Sequence, residues 1–470
     1  MTFTVTRFHL LLAVLLPGLS PAFAGADPLA LHPDNPRYFI YRDKPAILIS
    51  SAEHYGAVLN LDFDYVKYLD ELAAHGLNHT RTFTGAYCEP QGAFKIEKNT
   101  LAPAPGRFIA PWRRSDKAGY ANGGNKFDLT QFDDAYFRRL KDFVTQAGKR
   151  GIIVEVNLFC PFYEDMQWNL SPMNAANNVN GLGTVKRTDV YTLDKHGGLL
   201  GVHESMTRRI VSELRDADNI YYEICNEPYF GGVTMAWQQR IVEVIGEAQR
   251  DFKHKHLIAL NIANGSQKVD KPIPGVAIYN FHYTSPPKCV AENWHLNLPI
   301  GENETGFKGT GDDHYRMEAW EFILAGGALY SHLDYSFAVG HEDGTFKYPG
   351  SQPGGGSRGY RVQMRVLKDF AHGFEFVKMK PANELVKGGL PAKGRASVLS
   401  EPGRQYAIYL HGGPEATLQL ELPKGNYEAT WINVLKGNTE QREVIDHTGG
   451  VAALKSPRFV KDIALRVRAR

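Results

Sequence analysis

The chain has 470 residues, of which 43% are hydrophobic, 22% charged and 11% aromatic, and its formal net charge at pH 7 is +2. These proportions are typical of a globular protein with a large core and exclude a disordered chain. Since no run of Lys or Arg marks a nucleic-acid or membrane partner, we expect a near-neutral substrate and no nucleic-acid partner. The length indicates two domains.

The first 24 residues have the pattern of a cleavable export signal. Arg7 precedes an apolar run at 10–16, and Ala22-Phe23-Ala24 fits the small-x-small cleavage site. The apolar run is too short to span a bilayer. We therefore expect a mature protein that begins near Gly25, is periplasmic or secreted, and has no membrane contact after cleavage.

From Ala46 onward, short apolar runs alternate with stretches whose apolar residues have helical spacing, such as Val66, Leu69 and Leu72. The runs are Ala46–Ser51, Asn78–Phe83, Ile152–Leu158, Ile220–Cys225, Leu257–Ile262, Val276–Phe281, Pro299–Glu304 and Ala328–Asp334. Eight strands alternating with helices predict an α/β fold, a parallel (β/α)8 barrel at residues 25–380. A doubly wound open sheet is the alternative, although no Gly-rich phosphate motif follows the first strand.

Two long insertions follow the second and third predicted strands, at Thr84–Leu129 and Pro161–Gly198. Loops after the strands lie on the catalytic face of such barrels, so both are expected to shape a substrate cleft. The interval between the fifth and sixth strands is short and predicts a helix of only a turn or two. Cys88 and Cys160 follow strand ends and could pair, and buried free thiols are the alternative.

Beyond residue 380 strict alternation replaces helical spacing. Tyr406, Ile408 and Leu410 alternate with polar or small residues, and turn residues such as Gly412-Gly413-Pro414 separate the runs. This pattern predicts a small antiparallel β-sandwich at residues 381–470.

Two apolar runs end in a carboxylate just before a turn residue. Glu227 ends the fourth strand and Glu304 ends the seventh. Carboxylates are costly to bury unpaired, so such a position indicates strong hydrogen bonding or chemistry. The upper ends of these strands face each other across the barrel mouth, and two facing carboxylates are what glycosidic bond cleavage requires.

Other polar and aromatic residues are weaker candidates. Glu302 is a rival nucleophile, because side chains repeat every two residues along a strand and it would share the side of Glu304. Glu223 fits the barrel interior better than the mouth. Residues that could bind or stack on sugar from the strand ends and loops are His54, Tyr55, His332, Asp334, Trp112, Trp168 and Trp294.

Over residues 40–375 these motifs resemble clan A of the glycoside hydrolases, the retaining β/α-barrel enzymes that include the family-5 cellulases and mannanases. The resemblance implies that Glu227, within Asn226-Glu227-Pro228, is the acid/base and that Asn226 binds the sugar 2-hydroxyl. It implies that Glu304, within Glu304-Thr305-Gly306, is the nucleophile, and that Arg81 keeps it ionised.

The sixth strand matches the clan through His282 and Tyr283, which are adjacent here and often one residue apart in the clan. Many members carry a sugar-stacking Trp on the eighth strand, where this chain has Tyr335 within Leu333–Phe337. The C-terminal segment resembles the collagen-binding-type β-sandwich domains found behind such barrels.

The resemblance implies a retaining glycoside hydrolase that cleaves a β-linked oligo- or polysaccharide without metal or cofactor. A non-catalytic carbohydrate-binding barrel is the alternative. A metal-dependent barrel hydrolase would need a pattern such as His-x-His on the first strand, which instead reads Ser50-Ser51-Ala52-Glu53-His54. The oligomeric state stays open.

Overall fold

The computed structural model describes residues 27–470, so the predicted export signal lies outside the described residues. A small antiparallel sheet precedes the barrel and contains β1 (Ala30–Leu31), β2 (Phe39–Tyr41) and β3 (Lys44–Ala46). Within the described range, no helix is long and apolar enough to cross a membrane.

The main sheet has eight parallel strands that circle in the predicted order. They are β4 (Leu48–Ala52), β5 (His79–Phe83), β8 (Ile153–Phe159), β9 (Ile220–Cys225), β10 (Leu257–Asn264), β11 (Ile278–His282), β12 (Ile300–Glu304) and β13 (Leu329–Leu333). The Asn78 side chain joins β4 to β5, since its Oδ1 accepts from Ile49 N at 2.8 Å and its Nδ2 donates to Ile47 O at 2.9 Å. The predicted barrel is confirmed, and the open-sheet alternative is excluded.

Most of the helices cover the outside of the barrel, and the short helix Asp165–Trp168 lies in the second insertion. The helices are α1 (Tyr65–Ala74), α2 (Asp134–Lys149), α3 (Asp165–Trp168), α4 (Leu200–Glu213), α5 (Met235–Ala248), α6 (Lys288–Glu292), α7 (Asp312–Leu324) and α8 (Arg358–His372). The helix predicted between the fifth and sixth barrel strands is wrong, because residues 265–277 contain no helix. Pro272 and Pro274 lack backbone N–H groups and Gly275 follows them, so this segment cannot sustain helical hydrogen bonds.

The two insertions follow the carboxyl ends of β5 and β8. The first contains an antiparallel hairpin that the sequence analysis did not predict, formed by β6 (Trp112–Ala118) and β7 (Asn125–Phe132). The second is largely irregular. Cys88 and Cys160, which could pair on sequence grounds, are buried free thiols, as are Cys225 and Cys289.

The C-terminal segment forms two antiparallel sheets around a separate apolar core that includes Leu418, Trp431 and Leu465. Its strands are β14 (Lys380–Pro381), β15 (Val386–Gly388), β16 (Arg395–Glu401), β17 (Gln405–His411), β18 (Thr417–Leu422), β19 (Gly425–Ile432), β20 (Thr439–His447), β21 (Gly450–Lys455) and β22 (Asp462–Ala469). The predicted β domain behind the barrel is confirmed.

Helix α7 lies between the barrel and this β domain, and nine of its 13 residues are buried. Such extensive burial is expected of a helix covered on more than one side. Arg316 donates from Nε and Nη2 to the Asp462 carboxylate, at 2.8 Å each. The ring of Trp320 stacks on that of Tyr409 with centroids 5.3 Å apart. The β domain therefore supports the helix that follows the strand ending in Glu304.

Replacing Asp462 with Asn will lower the free energy of unfolding by about 3 kcal/mol, because it leaves the buried guanidinium of Arg316 with Asp313 as its remaining ionic partner. The matched control is Asp70→Asn, which breaks the exposed pair with Arg150 and will cost less than about 1 kcal/mol. Urea unfolding followed by tryptophan fluorescence measures both. Equally small losses of unfolding free energy in the two variants would contradict a stabilising role for the contact between Arg316 and Asp462.

Candidate active site

Glu304 ends β12 at the barrel mouth and is surrounded by donors. Its Oε2 accepts from Tyr55 Oη at 2.8 Å and from Arg81 Nη1 at 3.2 Å, and its Oε1 accepts from Tyr283 Oη at 2.8 Å. Burial alone would raise the pKa of Glu304, but the charges of His282 and Arg81 and the two tyrosine hydrogen bonds hold that pKa below its usual value. The carboxylate is thus kept ionised.

Glu227 ends β9 on the opposite side of the same pocket. Its Oε2 accepts from Tyr163 Oη at 2.6 Å, and its Oε1 lies 3.1 Å from His282 Nδ1 and 3.2 Å from Tyr229 Oη. The Tyr229 hydroxyl is closer to Asn264 Oδ1, at 2.6 Å. Two tyrosine hydroxyls and His282 therefore surround Glu227, whereas Glu304 also has the permanent charge of Arg81 beside it.

His282 lies between the two carboxylates. Its Nδ1 is 3.1 Å from Glu227 and 3.5 Å from Glu304. Although burial lowers the pKa of His282, the charges of Glu304 and Glu227 raise it above its usual value. Among residues 27–470, these three are the only set of three His, Cys, Asp or Glu side chains placed to hold a cation, with ligand atoms within 4.8 Å of one another.

Three site residues have backbone φ angles in the left-handed region: 60° at Tyr55, 37° at Glu227 and 53° at Tyr283. Such angles cost about 1–3 kcal/mol for a residue with a side chain and concentrate at functional sites. Each follows a strand-end residue that also faces the site, namely His54, Asn226 and His282. In an extended strand neighbouring side chains point to opposite faces. The reversed backbone explains why the adjacent His282 and Tyr283 both reach Glu304.

Arg81 and His282 are fully buried beneath the pocket, where they contact the two carboxylates. Asn226, Tyr283 and His54 line the pocket itself. Tyr335 does not line it. Its ring lies 5.9 Å from that of His54 and 6.1 Å from that of Phe307, behind the pocket wall.

The prediction that Glu302 shares the side of Glu304 is wrong. The register of β12 against β11 shifts just before Glu304, and Asn303 points into the barrel, where it donates to two interior carboxylates. Glu302 instead accepts from Thr284 N at 2.8 Å, and burial and the nearby Glu318 on α7 raise its pKa well above the usual value. Glu302 therefore lies outside the site, in surroundings that favour its neutral form.

Of the other weaker candidates, His54 and Tyr55 line the pocket, whereas the three tryptophans, His332 and Asp334 lie outside it. Trp112 and Trp168 are buried in the insertions, and Trp294 packs against Arg37 at 4.2 Å, so the expectation that these three rings could stack on sugar is wrong. His332 and Asp334 are buried and share Ser51 as a hydrogen-bond partner. Their role is structural.

The pocket has a volume of about 300 Å³ and is lined by residues from seven strand ends and their loops. Exposed aromatic rings border it: Phe94, Phe230 and Phe307. The sequence analysis missed these three, along with Tyr163 and Glu89. Tyr163 follows a predicted strand end and could have been found there, whereas Glu89 and Phe94 lie in an insertion without any periodic pattern.

Comparisons with known proteins agree with this geometry. Residues 108–314 match the family model for cellulase (glycosyl hydrolase family 5). A proposed glycoside hydrolase from Bacteroides vulgatus ATCC 8482 has a TM-score of 0.65 at 13% identity, over 96% of this chain and 84% of that one. A family 5 glycoside hydrolase from the same organism has a TM-score of 0.62 at 14% identity, over 94% of each chain.

The endo-1,4-β-mannanase from Rhizomucor miehei has a TM-score of 0.50 at 13% identity, over 74% of this chain and 99% of that one. No curated protein sequence matches the chain. The fold and the paired strand-end carboxylates are those of a glycosidase with a carbohydrate substrate. The segment that matches the family 5 model contains both Glu227 and Glu304.

Tyr283→Phe will move the acid limb of the pH profile of kcat/KM toward neutral pH. The change removes a hydrogen bond that favours ionised Glu304, so its pKa rises and the carboxylate protonates at a higher pH. At neutral pH we expect kcat/KM to fall about tenfold. The control is Tyr335→Phe, because the Tyr335 hydroxyl has no hydrogen-bond partner among residues 27–470. An acid limb that stays in place in the Tyr283 variant would contradict this electrostatic assignment.

Proposed function

We propose that the protein is a retaining glycoside hydrolase that cleaves β-linked oligo- or polysaccharides by double displacement. The observation that carries this proposal is that oxygens of Glu227 and Glu304 approach within 4.8 Å in one pocket. Retaining enzymes place their carboxyl groups about 5–5.5 Å apart, whereas inverting enzymes leave about 6.5–9.5 Å for a water molecule. The short separation favours retention.

In the first step an ionised Glu304 oxygen forms a bond to the anomeric carbon. The bond from that carbon to the leaving oxygen breaks, and Glu227 gives its proton to the leaving oxygen. In the second step Glu227 accepts a proton from water while the water oxygen displaces Glu304. Glu227 loses one proton in the first step and regains one in the second, so no other group has to carry a proton. Asn226 beside it is placed to bind the sugar 2-hydroxyl.

The β-linked class is supported by the cellulase family match and by the clan A motifs at Asn226-Glu227-Pro228 and Glu304-Thr305-Gly306. A carbohydrate-binding barrel without activity would not require the donors that keep Glu304 ionised. The pattern of the first 24 residues supports a further proposal, that the protein acts in a periplasm or outside the cell.

Glu304→Gln will reduce hydrolysis of β-linked substrates to background, because the neutral amide cannot attack the anomeric carbon. The matched control is Glu302→Gln on the same strand, which changes a carboxyl group outside the pocket and will keep at least about half of the activity. Initial rates on aryl β-glycosides and on a polysaccharide panel measure both, and circular dichroism checks the fold. Full activity in the Glu304 variant, or loss only in the Glu302 variant, would refute the assignment.

A further inference from the structure

One side of the pocket is closed by the segment 99–101. Thr100 Oγ1 donates to Glu53 Oε2 at 2.6 Å and approaches His54 O at 2.9 Å. The fit is so close that a Cβ on Gly56 would lie 2.1 Å from Thr100 O. Because this segment packs directly on the loop after β4 and Leu101 lines the pocket, the segment forms a wall on this side.

The closed side carries a third carboxylate, Glu89, which lines the pocket and is only 4% exposed. Its Oε1 accepts from Tyr87 Oη at 2.9 Å and lies 3.7 Å from His54 Nε2, and its Oε2 accepts from Asn99. Each carboxylate oxygen can accept a second hydrogen bond. Glu89 can therefore accept further hydrogen bonds from a ligand in the pocket.

His54 adds a hydrogen-bonding group beside that carboxylate. Its buried Nδ1 has no hydrogen-bond partner within residues 27–470. Although burial lowers the pKa of His54, Glu89, Glu304 and Glu53 raise it above its usual value, which favours a ring with two N–H donors. A sugar hydroxyl both donates and accepts, so a donor and an acceptor side by side suit sugar hydroxyls well.

The opposite side of the pocket is open. There Tyr229 and Phe230, which follow Glu227 and Pro228, are 38% and 43% exposed, and Asn264 at the end of β10 is exposed as well. The leaving group must lie on this side, because Glu227 protonates the leaving oxygen. The hydroxyls of the cleaved sugar that lie farthest from the scissile bond then face Glu89 and His54 across the barrel mouth.

We propose that the enzyme is exo-acting and removes one neutral sugar at a time from the chain end, with Glu89 and His54 binding the hydroxyls of that terminal sugar. The inference rests on the proposed function. The pocket volume of about 300 Å³ lies at the lower end of ligand pockets, as a single sugar ring requires. Glu89 offers an acceptor to the terminal sugar, and an acceptor pairs with a hydroxyl and not with a carboxylate, so the class is neutral sugars.

The direct experiment compares two versions of one β-linked oligosaccharide, one free and one with its terminal sugar capped as a cyclic acetal across two hydroxyls remote from the linkage. We expect the free form to release a monosaccharide as its first small product. The capped form will be hydrolysed at least about 100-fold more slowly, because the cap occupies the closed side. Equal rates, or oligosaccharides as first products, would overturn exo action while leaving the proposed function intact.

A second test uses Glu89→Gln with Glu97→Gln as the matched control, since Glu97 is an exposed acid on the same insertion. On an aryl β-monosaccharide we expect kcat/KM to fall about 10–100-fold in the Glu89 variant and to stay unchanged in the control. The loss of kcat/KM will be smaller for a substrate that lacks the bound hydroxyl. A merely structural role of Glu89 would not produce this difference between substrates. An equal loss on both substrates overturns the role of Glu89.

The oligosaccharide comparison needs only the wild-type protein, so it decides the inference even if the Glu89 variant fails to fold. A wild-type protein that hydrolyses neither aryl β-glycosides nor any polysaccharide would refute the proposed function itself.

Discussion

The buried guanidinium of Arg81 fixes both carboxylates of the active site. Its Nη1 donates to Glu304 at 3.2 Å, and its Nη2 donates to Asn226 Oδ1 at 2.9 Å. Asn226 in turn donates to Tyr163 Oη at 3.0 Å, and Tyr163 donates to Glu227 at 2.6 Å. One cation thus contacts Glu304 directly and Glu227 through two neutral groups. In the proposed mechanism this asymmetry distinguishes the nucleophile from the acid.

A charge buried this deeply must be paired, and the barrel interior is polar for that reason. Arg81 Nε donates to Glu155 at 2.6 Å, and although burial would raise the pKa of Glu155, Arg81, His79 and Tyr221 lower it to about 2. Burial and Glu155 raise the pKa of Glu223 to about 8, against the opposing effect of Arg81 and Asn280. The network is completed by three side-chain amides that donate to Glu223, those of Asn157, Asn280 and Asn303. Apolar layers usual in such barrels could not hold Arg81 in place.

Much of the fold could be predicted because each buried strand is a short apolar run and each strand end bearing chemistry carries a polar residue before a turn. The same logic failed where the backbone departs from regular strand geometry. Glu302 was placed beside Glu304 by two-residue alternation, which the register shift at the end of β12 breaks. His282 and Tyr283 are adjacent, whereas the clan often spaces this pair by one residue, and the left-handed φ of Tyr283 explains how both side chains reach Glu304. Glu89 could not be found, because no local pattern places an irregular insertion over the pocket.

The central claim is that Glu304 attacks the sugar directly, in a pocket where oxygens of Glu227 and Glu304 approach within 4.8 Å. The most direct test is the configuration of the first-formed product, followed by proton NMR during hydrolysis of an aryl β-glycoside before mutarotation sets in. The account predicts that the β-anomer appears first and that the α-anomer grows only as mutarotation proceeds. Initial release of the α-anomer would contradict it.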